Sequence, residues 1–284
     1  MERISIELGS GLTLSALTGG SGQPLIMIPG WSQTAAEWQQ NAETLTEDRR
    51  VIALDMRGHG ESDKPNYGYR VGRLAKDLSE VLDKLGLSSV DLLGHSMGCA
   101  VIWAYLDLFG PNRVQRLVLV DQAPCMFPQA QWSDEQRSRF GCFYQTADDV
   151  DEFAKNVLAA SDRESTTELL KGLFSPGFST ASLQTVAKEN LKLPRPLAAQ
   201  LLRDTAYGDW RDVIERINLP TLVIGGENSI FTSASQRWIA SVISGAEVEI
   251  FPTSEGGSHF MFIENPSRFN SCILSFLASS NTQI

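Results

Sequence analysis

Ser96 is the residue whose neighbours point most directly to chemistry. It stands in Gly94-His95-Ser96-Met97-Gly98, straight after the apolar run Val90 to Leu93 and before the apolar stretch Cys99 to Leu108. A strand that turns sharply into a helix needs small residues at positions 94 and 98. It presents the central hydroxyl at the strand end, beside a helix N-terminus whose free N–H groups favour developing negative charge. This is the setting of an acyl-transfer nucleophile. Such a serine needs a base, and the chain holds 3 histidines, His59, His95 and His259. It also needs a carboxylate to stabilise the imidazolium that forms.

The elements that must position these groups follow from hydrophobic patterning. Alternation over Arg3 to Leu8 and Leu12 to Thr18, followed by Gly19-Gly20-Ser21-Gly22, predicts an opening β-hairpin. Short apolar runs at Pro24 to Ile28, Val51 to Leu54, Val90 to Leu93, Leu117 to Val120, Thr221 to Ile224 and Val248 to Ile250 have the form of strands buried on both faces of a parallel sheet. Most are separated by helical spacing, as in Leu74, Leu78, Val81, Leu82 and Leu85, so a doubly wound, mostly parallel α/β sheet is expected. The alternation stops between Pro124 and about Tyr207. There Val150, Phe153, Ala154, Val157 and Leu158 form an amphipathic helical stripe, and Trp132, Phe140, Phe143, Tyr144, Phe174 and Phe178 supply material for an apolar pocket wall. The expected organisation is a core over residues 1–123, a helical lid over 124–208 and the rest of the core over 209–284.

Composition narrows the function classes. A chain of 284 residues with 42% hydrophobic and 20% charged residues can bury a sizeable core. A formal charge of -10 and a pI near 4.9 argue against nucleic acid and anionic lipid surfaces as partners. The start Met1-Glu2-Arg3-Ile4-Ser5-Ile6 has neither a basic leader nor a long apolar run, so a cytoplasmic monomer or homodimer without membrane contact is expected. Cys99, Cys125, Cys142 and Cys272 lack metal or redox spacing and are expected as free thiols. No metal, nucleotide or flavin signature is present, and no cofactor is expected.

Together with the serine motif, three further segments give the chain a resemblance to the α/β-hydrolase superfamily over nearly its whole length. Ile28-Pro29-Gly30-Trp31 resembles the loop after the third strand, Asp55-Met56-Arg57-Gly58-His59-Gly60-Glu61-Ser62 the turn after the fourth, and Gly257-Ser258-His259-Phe260 with Glu264-Asn265-Pro266 the C-terminal histidine segment. The resemblance implies an oxyanion hole at the backbone N–H groups of Trp31 and Met97. Proline replaces the usual histidine at position 29. By elimination the base falls on His259, since His59 lies in a turn with a structural role in such proteins and His95 adjoins the nucleophile.

The pattern departs at the acid. In most relatives it follows the strand written here as Thr221 to Ile224, where alignment puts Ser229, which carries no charge. Asp121 ends the strand after the nucleophile's own strand-helix unit, on the same sheet edge as Ser96, and some relatives place their acid there. Glu227 is the competitor. The chain order Ser96, Asp121, His259 keeps the order serine, acid, histidine.

The reading that results is a serine hydrolase acting on a small, fairly apolar ester or lactone through an acyl-enzyme, with Met126, Phe127, Trp132 and Phe143 contacting substrate. Perhydrolase or chloroperoxidase activity would be a side reaction of the same triad. Two alternatives stand beside it. Pro29-Gly30-Trp31 with an acid at 121 also resembles cofactor-free dioxygenases of this fold acting on heteroaromatic substrates, and the third is a non-catalytic ligand-binding member.

Overall fold

The computed structural model describes residues 1–279. Its eight strands are β1 Glu2–Glu7, β2 Thr13–Gly19, β3 Pro24–Ile28, β4 Arg50–Asp55, β5 Val90–His95, β6 Val114–Val120, β7 Thr221–Gly226 and β8 Glu247–Phe251. They form one sheet in the order β1-β2-β4-β3-β5-β6-β7-β8. β2 pairs antiparallel with β1 and β4, and every pair from β4 onwards is parallel. The expected doubly wound sheet and opening hairpin are both present. β3 to β7 are apolar almost throughout because helices cover both faces.

Helices α1 Gln39–Leu45, α2 Val71–Lys84 and α3 Met97–Phe109 flank the first half. α2 turns Val71, Leu74, Leu78, Val81 and Leu82 inward at helical spacing. α3 is apolar nearly all round and lies in the core. Because β3 leads through α1 to β4 on one side while β5 leads through α3 to β6 on the other, the loops after β3 and β5 face each other where the chain order reverses. Ligands bind at such a reversal, beyond the carboxyl ends of the strands.

Between β6 and β7 the chain makes α4 Asp134–Phe140, α5 Ala147–Ala159, α6 Arg163–Leu170, α7 Thr180–Asn190, α8 Arg195–Ala206 and the short α9 Arg211–Ile214. No strand of the sheet interrupts them. Ser133, Thr146 and Asp162 close capping boxes at α4, α5 and α6, satisfying N–H groups that would otherwise lack acceptors. On α5, Val150, Ala154 and Val157 are buried as the apolar stripe predicts, while Leu158, at its edge, is 44% exposed. The core closes with α10 Ser233–Val242, α11 Met261–Glu264 and α12 Pro266–Ala278. Among the described residues no helix is long and apolar enough to cross a membrane.

Candidate active site

Ser96 sits between β5 and α3 with φ 51° and ψ −126°, a conformation that an L-residue adopts only under strain. The flanking glycines make it possible. A Cβ on Gly94 would come within 2.6 Å of the Gly98 backbone, and one on Gly98 within 2.3 Å of the Ile28 carbonyl oxygen. Asp121, at the end of β6, also has positive φ, 49°, and is fully buried. Its backbone N–H donates to the Ile224 carbonyl at 2.8 Å, which fixes its direction against β7.

His259 follows β8 on a loop that must pass close to β7, since a Cβ on Gly226 would meet the Gly257 oxygen at 2.4 Å. His259 Nδ1 lies 2.6 Å from Asp121 Oδ2, with both side chains buried. Ser229 donates its hydroxyl to the same Oδ2. Glu227 instead points to the surface, accepting from the Thr253 backbone N–H at 2.9 Å and the Thr253 hydroxyl at 3.1 Å, bonds that hold its carboxyl below the usual range. Of the two candidate acids, then, only Asp121 is brought to His259.

The loop after β3 is held by bonds from three directions. Gly30 N–H donates to Gln33 Oε1 at 2.6 Å, and Ser32 N–H donates to His59 Nε2 at 3.1 Å. Ser32 itself has a positive φ, 59°. Asp55 Oδ1 accepts from Ala35 N–H at 2.7 Å, and Arg57 is locked by a fully buried bidentate pair with Asp77 at 2.7 and 2.9 Å. The turn over residues 55–62 thus braces this loop. Between the Gly30 and Ser32 amides, the Trp31 N–H has no acceptor among the described residues, and neither has the Met97 N–H at the first position of α3. Two such donors, on residues that line the same cavity as Ser96, are what an oxyanion would require.

His95 lies beneath the site, fully buried. Its Nδ1 is 3.0 Å from Gln33 Oε1 and its Nε2 is 2.8 Å from the His259 carbonyl, so it joins the Trp31 loop to the His259 loop. Burial, with the His259 charge second, pushes its pKa well below the ordinary value. His59 is pushed down to about 4, mainly by burial. Neither ring reaches the cavity, which leaves His259 as the one histidine lining it.

That cavity has a volume of about 70 Å³ and is lined by Ser96, His259, Trp31, Met126, Phe143 and Phe231 among other mostly apolar residues. Two of the expected substrate contacts are therefore on its wall and two are not. Trp132, just before α4, packs on Phe140 at 4.9 Å under the Arg211 guanidinium, 4.4 Å from the ring, and Phe140 in turn meets Trp238 of α10 at 5.2 Å. Phe127 packs outward on Tyr207 at 5.1 Å.

Gln33, Phe231 and Arg195 belong to the site but were not picked out from the sequence, and Ser229, passed over there as uncharged, is a donor to Asp121. Arg195, at the start of α8, is a buried cation with no carboxylate among its partners: it donates to Asn190 Oδ1 at 2.9 Å, Leu193 O at 2.8 Å, Ser32 Oγ at 3.2 Å and the Asn190 carbonyl. Burial pushes it down to about 10, so it stays charged at neutral pH. No motif marks it. Among the described residues no group of three or more His, Cys, Asp or Glu side chains could hold a metal ion.

A family model described as alpha/beta hydrolase fold matches residues 23–266. The chain is 28% identical over 268 residues to a non-heme chloroperoxidase of Kitasatospora aureofaciens, covering 91% of this chain and 93% of that protein. Its structure is similar to an esterase from Exiguobacterium antarcticum, with TM-score 0.86 and 25% identity over 97% of this chain and 99% of that one. It also shares the fold of an enol-lactonase from Burkholderia xenovorans, with TM-score 0.82 and 20% identity over 97% and 100% of the two chains.

Proposed function

The chain belongs to the α/β-hydrolase family, and on that premise we propose that it is a serine hydrolase cleaving small, fairly apolar esters or lactones through an acyl-enzyme. Ser96 Oγ attacks the carbonyl carbon while His259 Nε2 takes its proton. The oxyanion is held by the Trp31 and Met97 N–H groups, and the imidazolium by Asp121 through Nδ1. Collapse expels the alcohol with the proton from His259. Water, deprotonated by the same nitrogen, then releases the acid and restores Ser96.

The observation that carries this reading is the 2.6 Å contact between buried Asp121 and His259 on the wall of the cavity that holds Ser96. Among the described residues, Asp121 is the carboxylate hydrogen-bonded to the imidazole, while a neutral serine stands at the usual acid position. The small apolar cavity supports a short hydrocarbon acyl group or a compact lactone. The similarity to an esterase points the same way.

The test is a chromogenic ester panel of graded acyl length, run with and without a fluorophosphonate. Turnover of short esters, lost as Ser96 alone becomes labelled, is expected. Label on another serine, or oxygen uptake with a hydroxylated heteroaromatic substrate by a preparation that does not turn over esters, would overturn the proposal.

A further inference from the structure

Gln33 and Asn190 both line the cavity, and they are 3% and 2% exposed. Each is a carboxamide whose oxygen is already committed. Gln33 Oε1 accepts from Gly30 N–H at 2.6 Å and lies 3.0 Å from His95 Nδ1. Asn190 Oδ1 accepts from the Arg195 guanidinium at 2.9 Å. A backbone amide and a guanidinium can only donate, so the sense of both carboxamides is fixed and the NH2 is the opposite end of each.

Neither NH2 group has an acceptor among the described residues. Nor is either sealed inside the protein. The fully enclosed side-chain atoms without a partner include Arg195 Nε and Asn41 Oδ1 but neither of these nitrogens, so each meets open space, and for residues buried this deeply that space is the cavity. The two groups also belong to one side of the site. A Cβ on Gly30 would lie 3.0 Å from both Gln33 Cδ and Ser96 Cβ, which sets this carboxamide beside the nucleophile. The Asn190 carbonyl accepts from Ser32 Oγ at 2.8 Å, bringing the end of α7 to the same loop. Most of the remaining wall is apolar, Leu170, Leu173 and Leu202 among it. A hydrocarbon group that displaces water from an N–H in such a place forfeits a hydrogen bond, whereas an oxygen restores it.

We propose that Gln33 Nε2 and Asn190 Nδ2 form a polar subsite for a second, uncharged oxygen of the substrate, so that the acyl group or lactone ring presented to Ser96 carries an oxo substituent near the scissile carbonyl. The subsite takes its substrate class from the ester or lactone reading above, on which it rests. A carbonyl oxygen has two lone pairs for two donors and brings no hydrogen that would itself need an acceptor. A carboxylate fits less well. Both donors are neutral, and Arg195, behind Asn190, already donates to four protein oxygens and does not line the cavity. An anion there would be buried without an ion partner.

The test compares ethyl 4-oxopentanoate with ethyl pentanoate and with monoethyl succinate, which puts a carboxylate where the first has its oxo group. Each kcat/KM is divided by the rate of hydrolysis in hydroxide, so that intrinsic reactivity cancels. The oxo ester should be favoured about tenfold over the plain ester, and the carboxylate should not be favoured. Asn190→Asp and Gln33→Glu keep the oxygen that Arg195 or Gly30 requires but lose the NH2, and each should bring the preference below about twofold. Tyr144→Phe removes another hydroxyl from the cavity wall and should leave it intact. A non-hydrolysable pair separates this subsite from the hydrolase reading: NMR titration of the native chain should give a Kd for 2,5-hexanedione about tenfold below that for 2-hexanone. Equal Kd values would overturn the subsite, as would preference for the succinate or loss of the oxo preference in Tyr144→Phe alone. Tighter binding of the dione without turnover of any ester would overturn the hydrolase reading and leave the subsite standing. The native-chain titration decides the matter even where a variant folds poorly.

Discussion

Ser229 donates its hydroxyl to Asp121 Oδ2, the oxygen that also lies 2.6 Å from His259 Nδ1. Ser229, where the family resemblance would put the acid, is thus a donor to Asp121, the acid of the proposed mechanism. Two partners thus converge on one oxygen of this buried carboxylate. Asp121→Asn keeps the shape but removes the charge, and should lower kcat by about ten-thousand-fold, as removal of a triad carboxylate can. Ser229→Ala removes one hydrogen bond, worth about 1 kcal/mol, and should cost roughly fivefold. Adding Ser229→Asp to Asp121→Asn should recover part of the loss. Steady-state kinetics on folded variants check this, and a nearly fully active Asp121→Asn would rule out its role as the acid.

The helical segment between β6 and β7 is fastened to the Trp31 loop by side chains whose loss should slow turnover rather than weaken binding. Trp31 Nε1–H donates to Ala198 O, Ser32 Oγ–H to Asn190 O and Thr34 Oγ1–H to Glu189 Oε2, each at 2.8 Å, and Arg195 reaches the Ser32 hydroxyl. Arg195→Lys keeps the charge but loses the fork that spans these acceptors. A displaced Trp31 amide matters most to the oxyanion of the transition state, so kcat should fall about tenfold with KM changed less than about twofold. A raised KM with kcat intact would instead assign Arg195 to substrate binding.

How much of this was legible in the sequence depends on the range of the forces involved. The elbow at Ser96 could be read because its requirement for glycine at 94 and 98 is local, and the parallel strands because strands buried on both faces read as unbroken apolar runs. Asp121 could be placed because a strand's end in a parallel sheet fixes its edge. What escaped was long-range: Arg195 meets Ser32 across 163 positions, and nothing in either neighbourhood marks the pairing. Aromatic content between β6 and β7 likewise carried no direction, so nothing in the sequence told Phe143, which lines the cavity, from Trp132, which does not.

That difference in facing should separate selectivity from stability. Trp132 is 8% exposed and packs away from the cavity, so Trp132→Ala should cost about 3 kcal/mol of stability while leaving relative rates across acyl lengths unchanged. Phe143 meets Tyr144, Phe153 and Phe231 edge to face on the cavity wall. Phe143→Ala should open space there and shift preference toward longer acyl chains by about tenfold. Denaturant melts run beside the ester panel separate the two effects. Equal selectivity changes in both variants would contradict the assigned directions.

The last prediction concerns acid stability and His59. Ser32 N–H can only donate, so Nε2 of His59 carries the lone pair and the ring proton sits on Nδ1, 2.9 Å from the Arg57 carbonyl. Protonating Nε2 would set two N–H groups against each other in a fully buried place, and burial accordingly holds the folded pKa at about 4 rather than 6.5. Between those values the unfolded chain binds the extra proton and the folded chain does not. Stability therefore rises with pH from about 4 to 6.5; the contribution is intact above that range and lost on acidification through it. The shift corresponds to about 3 kcal/mol. His95, depressed in the same direction, adds a slope of the same sign, so the variant must isolate His59. His59→Gln offers Ser32 an oxygen acceptor that does not titrate. Urea unfolding from pH 7.5 down to 4 should show the wild type losing about 3 kcal/mol more than this variant, nearly all of it below pH 6.5. Parallel curves would mean that His59 does not titrate between its folded and unfolded environments as its burial requires.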